Sequence, residues 1–147
     1  MQIFDKFIAF KLLNIFIISF LLNFIWEHLH SVFYTHYQGG PVTETILLKA
    51  TFGDALFITA LSIVFFRVEI FKRNTWMILP MGIIGAILLE LFALSTGRWA
   101  YNEFMPILPY LGVGLTPTVQ LGVIGYISIK ILNQREMKTP PNKSWWR

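Results

Sequence analysis

Four long apolar runs dominate this chain of 147 residues and leave little of it for anything else. They cover about residues 7–26, 45–66, 76–95 and 107–132. Each is close to the ~20 residues that carry a helix across a hydrocarbon core about 30 Å thick. Four such runs in a soluble domain would need a polar shell to cover them. Only 14% of the residues are charged, where an ordinary soluble domain has about 25%. A soluble enzyme, a disordered tail and a nucleic-acid-binding module are excluded on that ground. Cysteine is absent, which also excludes disulfides, thiolate chemistry and iron–sulfur clusters. The expected fold class is all-α. It is a polytopic membrane protein with four transmembrane helices in a single domain, 1–147, and a short basic tail over 133–147. The first run is too long for a signal peptide and no small-x-small cleavage pattern follows it, so it is expected to stay.

Lys and Arg orient the bundle. Ten of the twelve fall at the N-terminus, between runs two and three, or in the tail. Only Lys49 and Arg98 fall on the other side. That asymmetry predicts both termini in the cytoplasm and an inner-membrane, multi-pass protein. It also accounts for the net charge of +4, which faces anionic headgroups rather than nucleic acid. The end of the tail, with Pro140, Pro141, Trp145 and Trp146, reads either as an interfacial anchor or as a disordered segment.

Under this topology the polar residues gather at one depth. Glu27 and His30 end the first span. Asp54 lies ten residues past Glu44, about 10–15 Å below the outer boundary. Glu90 lies fourteen residues past Trp76, about 21 Å up from the inner side. Thr116 and Gln120 sit in the outer half of the fourth run. Ser19, Asn23 and Glu27 share one helix face at i, i+4, i+8, and His30 continues it. Gly82, Ala86 and Glu90 repeat every four residues, so small side chains bring a neighbouring helix close and aim Glu90 inward. A carboxylate facing lipid costs at least about 2.5–3.5 kcal/mol, so Asp54 and Glu90 are expected to be paired, protonated or metal-bound inside the bundle. The segment Met105–Pro117 carries three prolines after Met105 and two glycines, and reads as irregular or re-entrant backbone before helix four. Thr116 as N-cap and Pro117 as first helical residue would start that helix.

Two chemistries fit these residues. Glu27 and His30 form Glu-x-x-His, a spacing used by di-iron bundles, and with Asp54 and Glu90 would offer four ligands to iron, manganese or zinc. A full di-iron bundle uses two such motifs, and one is present here. The second chemistry needs no cofactor. Asp54 and Glu90 would act as acid and base on a lipidic or isoprenoid substrate in a polar pocket of the outer leaflet, and aromatic rings would shelter a cation. Asn23, Glu27, Arg98, Trp99, Tyr101, Thr116 and Gln120 would bind the substrate, with Arg98 at its headgroup. Membrane lipid is the expected partner. An ion- or proton-coupled transporter is a further reading, for which four helices would call for a homo-oligomer. An accessory subunit of a membrane complex is another.

Asn23-x-x-Trp26-Glu27, Gly53-Asp54, Gly97-Arg98-Trp99-x-Tyr101 and Met105-Pro106-x-x-Pro109-x-x-Gly112-x-Gly114-x-x-Pro117-x-x-Gln120 together resemble the pattern of a widespread family of small four-span prokaryotic membrane proteins. The resemblance covers nearly the whole chain and is most specific from Gly97 to Gln120. In that pattern the place of His30 is often a non-histidine polar residue. The resemblance therefore favours Glu27, Asp54, Arg98 and Gln120 over the Glu-x-x-His reading. It implies fold and topology, and no reaction.

Overall fold

The structure, a computed structural model, describes residues 2–138 and the side chains of residues 6–135. Trp145, Trp146 and the two tail prolines lie outside the described residues. Five helices and a ribbon follow one another: α1 (Gln2–His30), β1 (Tyr34–Tyr37), α2 (Glu44–Arg67), α3 (Glu69–Arg73), α4 (Ile78–Ser95), β2 (Trp99–Tyr101) and α5 (Leu115–Lys138). Four helical stretches are long and apolar enough to cross a membrane: Lys6–Phe33, Glu44–Arg67, Thr75–Ser95 and Leu115–Arg135. The chain is mostly helical, and the expectation of helices alone missed the antiparallel ribbon of β1 and β2. Residues 133–138 continue α5.

The long helices run up, down, up and down. α1 packs along α2, α4 along α5, and α1 against α5 closes the bundle. Between α4 and α5 the backbones touch. A methyl group added at Gly82 would lie 2.5 Å from the Cα of Gly122, so only glycine allows this approach. Apolar side chains such as Phe10, Leu21, Leu29 and Leu88 point outward. The interior combines Ile15, Ile58, Phe65 and Ile78 with fully buried Ser19, Asn23, Thr51 and Ser62. This distribution suits an apolar surrounding, where burial is no longer reserved for apolar groups.

Local chemistry shapes the ribbon end. β1 turns at Gln38-Gly39, whose φ values of 50° and 77° make a two-residue hairpin turn closed by Tyr37 and Gly40. α4 stops in a Schellman motif. Gly97 takes φ 64°, its N–H donates to Leu94, and the Arg98 N–H donates to Ala93. The chain leaves that cap directly into β2, where Tyr101 pairs with Tyr34 and Trp99 with Tyr37.

Residues 102–114 are non-helical, as the prolines require, and satisfy much of their backbone locally. Leu108 N–H donates to Val113, and Leu115 N–H donates to Pro106. α5 starts at Leu115, not at the expected Thr116-Pro117 cap. Gly114 provides the capping carbonyl, which accepts from both the N–H and the hydroxyl of Thr118. Pro117 still lies in the first turn, where a missing N–H costs nothing.

Candidate functional site

All four long helices bring a polar side chain to one level near the ribbon. The stripe on α1 faces inward: Ser19 and Asn23 are 0% exposed and Glu27 is 8% exposed. Asp54 comes from α2, Glu90 from α4 and Gln120 from α5. Gln120 joins three of these elements. Its Nε2 lies 3.0 Å from Asn23 Oδ1, 2.7 Å from Glu27 Oε1 and 2.8 Å from Asp54 Oδ2. A carboxamide has two N–H hydrogens, so three acceptors must share them. The carboxyls of Glu27 and Asp54 also come within hydrogen-bonding reach of each other. Asn23 is fixed in turn by donating to Ser19 O at 2.9 Å.

Glu90 is held from the other direction. Trp99 and Tyr101 are two residues apart on β2 and so share one face of the strand. The Trp99 indole N–H donates to Glu90 Oε2 at 3.1 Å, and the Tyr101 hydroxyl donates to the same oxygen. Tyr101 accepts in its turn from the Gly114 N–H at 3.0 Å. The start of α5 therefore polarises a phenol that polarises the carboxyl. Burial, and then the bond to Glu90, push the Tyr101 phenol above its ordinary value of 10.0, against the lowering effect of Gly114. Burial and the nearby Glu90 push Tyr34 up as well.

Between these two groups lies a cavity of about 520 Å³, within the range of small-molecule sites. Glu27, Asp54, Glu90 and Gln120 are part of its polar lining, to which His36, Gln38 and Lys49 also contribute. Ala50, Phe57, Ala86 and Leu121 form apolar wall, and Tyr34, Tyr37 and Trp99 face it from the ribbon. His30 also lines it, with Nδ1 2.8 Å from Trp26 O. A carbonyl only accepts, so Nδ1 carries hydrogen, and a neutral ring keeps the lone pair on Nε2.

The expected residues divide by this geometry. Glu27, Asp54, Glu90, Trp99 and Gln120 line the cavity. Asn23 and Tyr101 stand one hydrogen bond behind it, on Gln120 and Glu90. Thr116 is turned away, with its hydroxyl 3.4 Å from Met105 Sδ. Arg98, expected at a headgroup or a carboxylate, is exposed, with its guanidinium 5.0 Å from the centre of the Phe92 ring. Its place in the helix-ending motif sets that direction. Glu27, His30, Asp54 and Glu90 line one cavity, but among the described residues no three His, Asp or Glu side chains gather into a metal-binding group. Glu27 and Asp54 meet on Gln120, while Glu90 is drawn away to β2.

Sequence reasoning left Tyr34, Tyr37 and Gly114 out of the site. Aromatic rings in a loop carry no signal of direction until the ribbon pairs them. Gly114 has a packing reason to be glycine, since a Cβ there would lie 2.8 Å from Met105 Sδ. No family model, curated protein or solved structure matches the chain.

Proposed function

We propose that this is a multi-pass protein of the inner membrane that binds a lipidic or isoprenoid substrate in the ribbon-end cavity and performs acid–base chemistry on it. The distribution of Lys and Arg supports cytoplasmic termini, which turn the ribbon outward and open the cavity toward the outer leaflet. One observation carries the reading. Three carboxyls from three different helices line a single cavity whose remaining walls are mostly apolar or aromatic. An apolar chain suits those walls, and the carboxyls meet its reactive part.

The reaction class is the shift of a double bond. One carboxyl delivers a proton to an alkene carbon, and a second takes a proton from a neighbouring carbon, with no atom gained or lost. Asp54 and Glu90 are the pair. The faces of Tyr34, Tyr37 and Trp99 stabilise the carbocation between the two steps. Glu27 and Gln120 position Asp54, while Tyr101 and the Gly114 N–H position Glu90.

Asp54→Asn and Glu90→Gln should each slow conversion of the co-purified lipid about a hundredfold or more, with unchanged insertion and lipid content. Full conversion by both variants would overturn the chemistry. A reporter fused to the C-terminus and found outside the cytoplasm would overturn the orientation.

A further inference from the structure

At the opposite end of the bundle a second cavity, of about 270 Å³, lies between the start of α1, the end of α2, α3 and the end of α5. Its walls divide by chemistry. Buried Phe65 and Ile129 form an apolar floor. Lys11, Lys72, Thr75 and Asn133 supply cations, a hydroxyl and an amide. The Lys11 ammonium stands 4.5 Å from the centre of the Phe7 ring and 5.6 Å from that of Phe66, and both rings also line the cavity. Two aromatic faces thus keep this cation beside the cavity.

Lys72 enters from α3, its Nζ 3.2 Å from Glu69 Oε2, while Arg73 Nε lies 3.6 Å from the other oxygen of the same carboxylate. One anion is shared by two cations, so Glu69 balances only one of them. Exposed Phe7 and Trp76 flank it, and such rings mark the boundary between membrane and water. A free phosphate ion would use the ammonium groups and leave the apolar floor and the flanking rings without a partner. A zwitterionic headgroup would bring a cation of its own beside two others. A phosphate ester with one net negative charge and an attached acyl chain uses every wall.

We propose that this second cavity binds the phosphate headgroup of an anionic phospholipid, independently of the ribbon-end site. The test is native mass spectrometry of the full chain in mild detergent with phosphatidylglycerol, phosphatidylcholine or inorganic phosphate added separately. The expected result is retention of phosphatidylglycerol over phosphatidylcholine, weakened about tenfold or more in Lys11→Gln/Lys72→Gln. Lys11→Arg/Lys72→Arg should retain it, as should Lys130→Gln, which removes an exposed lysine away from the cavity. Equal retention of the two lipids, an equal loss in Lys130→Gln, or no loss in the double Gln variant would each overturn the proposal. Inorganic phosphate displacing the lipid from the wild-type chain at equal concentration would also overturn it, by assigning the cavity to the free ion.

Discussion

Glu27 and Asp54 on one side of the ribbon-end cavity, and Glu90 on the other, are secured by different kinds of structure. Glu27 and Asp54 meet on a Gln120 side chain from a third helix, and every member of that cluster sits on a membrane-length helix. Glu90 is bound by Trp99 and Tyr101, which arrive on a three-residue strand, and the Tyr101 hydroxyl in turn accepts from the Gly114 N–H just before α5. The first arrangement is helix against helix and cannot yield without separating the bundle. The second is helix against loop and can yield while the bundle stays whole. A cavity between a fixed wall and a releasable wall can admit a ligand at the ribbon side without unfolding the helices.

That difference has measurable consequences, the largest at Gln120. Gln120→Leu leaves Asn23, Glu27 and Asp54 without their common donor. At about 1–3 kcal/mol for each unsatisfied buried group, the loss should reach about 3 kcal/mol or more. Thermal unfolding in detergent should show it as a clear fall in the midpoint. Tyr101→Phe removes one of two donors to Glu90 and leaves Trp99 in place, so about 1 kcal/mol is expected. Equal losses in the two variants would erase the contrast between the walls.

The smallest effect is in alkaline solution. Tyr34 and Tyr101 have phenols pushed above the ordinary 10.0. In the unfolded chain these phenols release protons near that value, while in the folded chain they do not. Their contribution to stability is therefore complete below pH 10 and is lost as the pH climbs beyond it. In a titration through pH 10, neither Tyr34→Phe nor Tyr101→Phe should remove phenolate absorbance while the ribbon end is folded. Loss of signal at pH 10 in either variant would mean that the ribbon leaves the phenols open to water.

The same contrast separates what was legible in the sequence from what was not. The helix-borne wall could be read from spacing alone. Ser19, Asn23 and Glu27 recur every four residues, and so do Gly82, Ala86 and Glu90, because periodicity reports the face of a long helix directly. Run length similarly revealed the four membrane-length helices, and the prolines of residues 106–117 announced the non-helical segment. The loop-borne wall could not be read this way. β1 and β2 are four and three residues long and more than sixty residues apart, too short for alternation to stand out and too distant for a hairpin signal. The direction of Arg98 depended on a backbone cap rather than on its charge. The Gly97 turn that ends α4 sends Trp99 and Tyr101 toward Glu90 and leaves Arg98 outside. Thr116 was misread because a good capping sequence stood two residues after the closely packed glycine whose carbonyl accepts the first bonds of α5.

The most direct test of the central claim follows solvent protons into the bound lipid. Protein purified in mild detergent with its own lipid would be incubated in heavy water, and the extracted lipid weighed by mass spectrometry. The expected result is deuterium in the lipid at carbon positions next to a double bond, absent when Asp54→Asn or Glu90→Gln is used. Deuterium-free lipid from the wild-type chain, or equal labelling in all three proteins, would contradict acid–base chemistry by these carboxyls.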